Sequence, residues 1–234
     1  MHANKAVARG AGLLYLGVAV ATATAAAIRG AIVVAGDAHA TAANIRASEG
    51  LFRLAIAADL TSAALFLATA LALYALLRTV GPAAALAMVA FTTAAAAIQA
   101  LSLVLDVAAL TIATQGGADP VVGVLVDLQH VGFVLSQVFF ALWLLPLGWL
   151  VVQSGWFPRV LGYLLAAACG VYLLDLGAYL LAPGVEPAVV PLSAAVGAAA
   201  ELGFALWLVV KGVADSNRPE VEASPSASMS VSAL

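Results

Sequence analysis

The chain has 234 residues, of which 65% are hydrophobic and only 9% are charged. A typical soluble domain is roughly half apolar and about 25% charged, so this composition excludes an ordinary soluble protein. The formal net charge is −3, and no basic stretch is long enough to follow a phosphate backbone, which argues against a nucleic-acid partner. The lipid bilayer is therefore the expected environment.

Long apolar runs predict six membrane-spanning helices, because a helix needs about 20 apolar residues to cross a hydrocarbon core of about 30 Å. In chain order the predicted spans cover residues of about 10–34, 51–77, 83–113, 124–152, 159–181 and 189–210. Turn-forming Gly and Pro residues separate most of these runs. The predicted fold class is all-α, a polytopic membrane protein built as a bundle of six transmembrane helices.

The transmembrane domain covers residues 10–212, and the segments before and after it are short. Residues 1–9 are predicted as a cytoplasmic N-terminus. Residues 213–234 are rich in Ser, Pro, Glu and Asp and have too little apolar surface to offset ordering entropy, which predicts a disordered cytoplasmic tail. An alternative stays open for the first span: Lys5 and Arg9 before an apolar run that contains Ala23, Thr24 and Ala25 also fit a cleaved signal peptide.

Cations predict the orientation of the bundle, because Lys and Arg concentrate in cytoplasmic loops. With the N-terminus inside, six of the nine cations lie on the cytoplasmic side, and only Arg29, Arg46 and Arg53 surround the first outer connection. Both termini are therefore predicted to be cytoplasmic, with the protein a multi-pass component of the inner (plasma) membrane. Four tryptophans lie toward the predicted inner ends, where we expect interfacial anchors: Trp143, Trp149, Trp156 and Trp207.

Ionisable residues interrupt several spans, and a charge inside a bilayer is costly enough to mark a candidate functional site. Residues seven apart on a helix differ by only about 20° in direction, so they share a face. This spacing groups further polar residues with the ionisable ones. The resulting polar stripes are Tyr15, Thr22 and Arg29; Thr92, Gln99 and Asp106; His130 and Gln137; Tyr172 and Tyr179 around Asp175; and, at a spacing of four, Ser193, Gly197 and Glu201.

Helical rise places Glu201 near the bilayer midplane and Asp175 in the outer leaflet. If the polar faces converge, they form a polar pocket that opens outward. The alternative is that the acids only pair with Arg29 or Arg53, or hydrogen-bond across helices at about 0.6 kcal/mol for each contact. The candidate residues for the pocket and for proton titration are Arg53, Asp59, Gln99, Asp106, His130, Gln137, Asp175 and Glu201.

Sequence motifs of several protein classes are missing. The chain has no phosphate-binding G-x-x-x-x-G-K-[ST] loop and no G-x-S-x-G or H-E-x-x-H motif. With His130 as the one histidine inside a span, a bis-histidine haem site cannot form, and Cys169 alone gives neither a disulfide nor a Cys/His metal site. We therefore predict no cofactor and no metal, although the four intramembrane acids leave a carboxylate-rich metal site as an alternative.

Several short motifs occur in a recognisable order: GLLYL at 12–16, SEGLFR at 48–53, SGWFPRVLG at 154–162, YLLD at 172–175 and ELGFALWL at 201–208. In these motifs the chain resembles the domain of unknown function 4386 family of bacterial integral membrane proteins, over about residues 4–213. The resemblance implies a complete six-helix domain with an uncleaved first span, and it implies no activity. It also implies that positions recurring in the family correspond to Arg53, Asp59, His130, Asp175 and Glu201.

Three functional hypotheses follow. The leading one is a pocket that binds or passes a small polar or amphipathic molecule, with Glu201 and Asp175 as proton-titrating acids and Arg53 as the partner of an anion. The second is a membrane enzyme acting on a lipid-like substrate through His130 and one acid, which we consider less favoured. The third is a structural or regulatory subunit whose polar faces meet a second copy or another membrane protein.

Overall fold

The computed structural model describes residues 2–182 and 184–213, and these residues form an all-helical protein. The tail predicted to be disordered lies, beyond Val213, outside the described residues. The described part contains eight helices: α1 (His2–Ile32), α2 (Ala38–Ala47), α3 (Glu49–Leu77), α4 (Pro82–Thr114), α5 (Asp119–Leu142), α6 (Leu144–Ser154), α7 (Arg159–Leu181) and α8 (Glu186–Val210).

Six stretches of helix are long and apolar enough to cross a membrane, and α5 with α6 forms one of them. They are Lys5–Ile32, Glu49–Leu77, Pro82–Thr114, Asp119–Ser154, Arg159–Leu181 and Ala188–Val210. The predicted fold class, an all-α bundle of six membrane-spanning helices, is confirmed. The protein is therefore a multi-pass membrane protein.

The six spans pack as a closed ring in chain order. Each span contacts the next, and α8 returns to pack against α1. A small residue allows this last contact, because a Cβ atom on Gly12 would lie only 2.8 Å from the Cβ atom of Leu208 and 2.9 Å from the carbonyl oxygen of Ala205. All six spans contribute side chains to a central space, which is open on one side because lining residues such as Ala23 of α1 and Ala198 of α8 are exposed.

The outer surface of the ring is apolar, as contact with lipid acyl chains requires. Every span exposes large hydrophobic side chains that do not line the central space. One example from each span, in chain order, is Val20, Leu60, Leu101, Leu128, Leu174 and Leu206. The lipid bilayer is thus the partner that the fold itself requires.

The connection between the first two spans, which hydropathy treats only as an outer loop, contains the short helix α2. The Asp37 side chain caps this helix by accepting a hydrogen bond from the backbone N–H of Ala40, at 2.9 Å. Its Ala-rich sequence favours helix, and Ala42 and Ile45 are buried where α2 covers the ends of α4 and α5. We call this end of the bundle the α2 end and the opposite end the terminal end.

The helix of the fourth span is interrupted at Trp143, between α5 and α6. Pro146 explains the interruption, because it lacks the N–H that would bond to the carbonyl of Leu142 and its ring crowds that carbonyl. Trp143 points into the bundle and is 1% exposed. The expectation that Trp143 anchors the protein at the membrane interface is therefore wrong: its indole packs edge-on against the rings of Tyr15 and Phe66, with centroids 5.5 and 4.8 Å away.

Candidate ligand cavity

The central space is a cavity of about 640 Å³, which falls within the usual range for small-molecule sites. It extends from the middle of the spans toward the α2 end, between residues 15–26 of α1 and 190–205 of α8. Most of its wall is apolar and includes three phenylalanines. The polar side chains that line it are Tyr15, Thr22, Gln99, Gln137, Tyr172, Asp175, Ser193 and Glu201.

Glu201 joins three spans at the deep end of this cavity. Tyr15 from α1 donates its hydroxyl to Oε2 of Glu201, and Tyr172 from α7 donates to Oε1 at 2.7 Å. Tyr172 reaches this position because residue 197 is glycine: a Cβ atom there would lie 1.9 Å from the Tyr172 hydroxyl oxygen. Each carboxylate oxygen of Glu201 thus accepts one phenol, with lone pairs left for a further donor.

Asp175 provides a second carboxyl group nearer the α2 end. The Ser193 hydroxyl, which is 4% exposed as a residue, donates to Asp175 Oδ2 at 2.9 Å. Ser193 and Glu201 lie eight residues apart on α8, so the two acidic positions are separated by about 12 Å along the helix axis. The cavity therefore presents two carboxyl groups at different depths.

Gln99 of α4 places a side-chain amide without a full set of hydrogen bonds on the cavity wall. The residue is 2% exposed, and its amide oxygen Oε1 has no hydrogen-bond partner in the described structure. Leaving a buried acceptor unpaired costs about 1–3 kcal/mol, so a group that donates a hydrogen bond at this place is favoured. Gln137 of α5 lines the same cavity.

A separate ionic cluster lies beside the cavity, toward the α2 end. Arg29 of α1 donates from Nη1 to Asp59 of α3 and from Nη2 to Asp106 of α4, the latter at 2.6 Å. The two carboxyl side chains are 6% and 1% exposed. About two helical turns before Arg29 on α1, Thr22 shares a hydrogen bond of 2.7 Å with Ser62 of α3. This cluster ties the first three spans together.

Among the predicted site residues, the structure brings Gln99, Gln137, Asp175 and Glu201 together in one cavity. It places Asp59 and Asp106 in the adjacent ionic cluster rather than on the cavity wall.

Arg53 and His130 lie elsewhere. Arg53, which the sequence hypothesis made the partner of an anion, is exposed on the outer face of α3, pairs with Glu49 one turn away at 2.7 Å, and does not line the cavity. His130 is exposed on α5, and its ring lies 6.2 Å from the ring of Tyr179 on α7.

The set of candidates drawn from the sequence omitted the hydrogen-bond donors of the site, namely Tyr15, Tyr172 and Ser193, as well as Arg29. The polar stripes contained the signal for all four. On α1, each of the three stripe residues has different partners: Tyr15 binds Glu201, Thr22 binds Ser62, and Arg29 binds Asp59 and Asp106. The seven-residue spacing thus identified the face of α1 that points into the bundle, but not the residues that this face contacts.

At the α2 end, Asp119 at the start of α5 fixes α2 in place. It accepts hydrogen bonds from Arg46 at 2.8 Å and from His39 Nδ1 at 2.5 Å. The hydrogen bond to Asp119 raises the pKa of Arg46 above its ordinary value. Within the described residues, no three His, Cys, Asp or Glu side chains are grouped closely enough to hold a metal ion.

Comparison with known proteins gives one match. The family model described as Domain of unknown function (DUF4386) matches residues 10–212, from within the first span to the end of the last. This match confirms the resemblance drawn from the sequence motifs. No curated protein and no solved structure matches the chain.

Proposed function

The chain belongs to the family Domain of unknown function (DUF4386), and from the cavity between its six spans we propose that it binds a small amphipathic molecule within the membrane. The observation that carries this proposal is the convergence of polar side chains from five helices on a cavity whose walls are otherwise apolar. Such a lining suits a ligand with an apolar body and a polar group.

Within this proposal, Glu201 is the deep polar contact and Asp175 the outer one. A carboxyl group inside the membrane is stabilised either by a proton or by a partner that compensates its charge. If passage is coupled to protons, its first step is the release of a proton from one of these carboxyl groups as the ligand binds there. Tyr15 and Phe66 line the cavity and pack against the buried Trp143, so passage past them requires these aromatic contacts to separate.

We also propose that the cavity opens outward in a plasma membrane, with both termini in the cytoplasm. Five cations lie at or near the terminal end: Lys5, Arg9, Arg78, Arg159 and Lys211. Of the three at the α2 end, Arg29 binds the two aspartates of the ionic cluster, and the other two are Arg46 on α2 and Arg53 in the first turns of α3. This asymmetry agrees with the excess of Lys and Arg in cytoplasmic loops.

The enzyme hypothesis has less geometric support. General acid–base work by His130 requires the imidazole to face the acids across a substrate site. His130 is exposed outside the cavity lining, on the α5 surface near Tyr179. The cavity instead presents carboxyl, amide and hydroxyl groups, which suit binding.

Native mass spectrometry of the protein in mild detergent tests the proposal. We expect a small molecule or lipid to remain bound at one copy per chain. Ala194 lines the cavity, so Ala194→Trp should fill it and remove the ligand, whereas Ala195→Trp, one residue along on a face outside the cavity, should retain it. An empty wild-type protein, or a ligand that survives Ala194→Trp unchanged, would contradict the proposal.

A further inference from the structure

The charge of the cavity indicates the charge of its occupant. Two carboxyl-bearing residues, Asp175 and Glu201, line it, and no Lys, Arg or His does so among the residues that the structure describes. Their hydrogen-bond partners in the cavity are hydroxyl groups only. Arg29, the cation inside the bundle, already binds Asp59 and Asp106 and does not line the cavity.

The remaining polar groups favour a ligand that donates hydrogen bonds or carries positive charge. The unpartnered amide oxygen of Gln99 is an acceptor on the wall. Phe66, Phe133 and Phe140 add aromatic rings, whose faces attract cations when water is excluded. An anionic group could bind beside these carboxyl groups only if both were protonated, because like charges repel strongly in a medium of low dielectric constant.

We propose, resting on the proposed function above, that the cavity binds a hydrophobic cation: an apolar body bearing a protonated or quaternary amine. The cationic group meets Asp175 first when it enters from the α2 end and Glu201 at the deep position. The apolar body occupies the space between α1, α5 and α8. Amphipathic anions are disfavoured at the same place.

The proposal predicts competition with protons, because a proton and a cationic ligand neutralise the same carboxyl group. The other titratable groups on the wall are the hydroxyls of Tyr15 and Tyr172, from α1 and α7. The helices α3, α4 and α5 contribute Phe66, Gln99 and Gln137 with two further phenylalanines, none of which titrates. Acidification should therefore weaken binding of a permanent cation at the deep carboxyl group of Glu201.

The decisive probes are tetraphenylphosphonium and tetraphenylborate, which have nearly the same shape and opposite charge. Binding is measured by equilibrium dialysis against the full chain in nanodiscs of zwitterionic phosphatidylcholine, with empty nanodiscs subtracted. We expect saturable binding of the cation, weakened about tenfold to a hundredfold by Glu201→Gln and also weakened by Asp175→Asn. Asp127→Asn, at an exposed carboxyl group outside this cavity, is the matched control and should change nothing.

Two tryptophan substitutions test the same site without changing its charge, so that weaker binding by the charge variants is not mistaken for a folding defect. Ala194→Trp should abolish binding of the cation, and Ala195→Trp should leave it intact. The inference would be overturned if the anion bound as tightly as the cation or more tightly, or if the cation showed no saturable binding. It would also be overturned if neither Glu201→Gln nor Asp175→Asn changed the affinity for the cation. None of these results touches the proposed function, which fails separately if the native mass spectra show an empty wild-type cavity.

Discussion

Arg29 lies between two carboxyl groups inside the bundle, while Arg53, also at the α2 end, pairs with one carboxyl group on the surface. These two arginines have different energetic roles. Desolvating a charge is costly, so a buried ion pair adds little net stability, yet removing one partner leaves the other charge uncompensated. An exposed pair one helical turn apart is screened and contributes little.

Replacement of Arg29 by alanine should therefore destabilise the protein by about 3–5 kcal/mol, because Asp59 and Asp106 lose their shared partner. Thermal unfolding in a mild detergent measures the effect. Arg53→Ala removes the same side chain from an exposed pair and should leave the midpoint almost unchanged.

A combined variant checks that charge, rather than lost packing, is the cause. Adding Asp59→Asn and Asp106→Asn to Arg29→Ala should restore part of the stability, since neutral amides leave no uncompensated charge. If the triple variant is less stable than Arg29→Ala alone, the carboxyl groups have another role.

At the scale of helices, α7 and α8 approach each other at Gly197, and this approach sets the position of Tyr172. Gly197→Ala should push the Tyr172 hydroxyl away from Glu201. The lost hydrogen bond to the Glu201 carboxyl group, about 0.5–3 kcal/mol depending on its charge, is offset by a gain in helix propensity of about 1 kcal/mol. We therefore expect a small change in stability with a clear loss of retained ligand in native mass spectra.

The matched control for this prediction is Gly203→Ala on the same helix, where an added Cβ atom would meet nothing within 4 Å. This variant should keep its ligand and gain slightly in stability. If Gly197→Ala retains its ligand as well as Gly203→Ala does, then the bond from Tyr172 to Glu201 is not needed for binding.

The helices themselves show which features a sequence can predict. Hydropathy predicts all six spans, because the bilayer thickness imposes a minimum apolar length. It does not predict α2, which is too short and too polar to register as a span but is capped by Asp37 and anchored by Ile45. It also misses the burial of Trp143, because a tryptophan near a predicted membrane boundary usually marks the interface, whereas here its indole packs inside the bundle against Tyr15 and Phe66.

At the scale of the whole molecule, the polar stripes specify which face of each helix points inward, but not which helices meet. Glu201 and its partner Tyr15 are 186 residues apart, and they meet only because α8 closes the ring against α1. That closure depends on close contacts such as Gly12 against Leu208, which hydropathy does not register. The acids were therefore predictable as candidates, while their grouping into a cavity and a separate ionic cluster required the three-dimensional arrangement.

The orientation of the six-span ring in the membrane determines which compartment supplies the ligand. This orientation can be tested by cysteine labelling, because the chain has only one cysteine to replace. In a Cys169→Ser background, Gln115→Cys places a thiol in the exposed connection at the α2 end, and Gln153→Cys places one at the terminal end. Because more loop cations lie at the terminal end, we expect a membrane-impermeant maleimide to label Gln115→Cys in intact cells. Gln153→Cys should react only after the membrane is permeabilised.

The reverse labelling pattern would contradict the proposed orientation while leaving the cavity itself unaffected. The cavity extends toward the α2 end, so labelling of Gln115→Cys from outside means that its ligand is drawn from outside the cell or from the outer leaflet. Labelling of Gln153→Cys alone would mean that Asp175 faces the cytoplasmic side and that Glu201 is reached from within the cell. The same result shows which compartment a ligand would reach if the aromatic contacts of Tyr15, Phe66 and Trp143 separated.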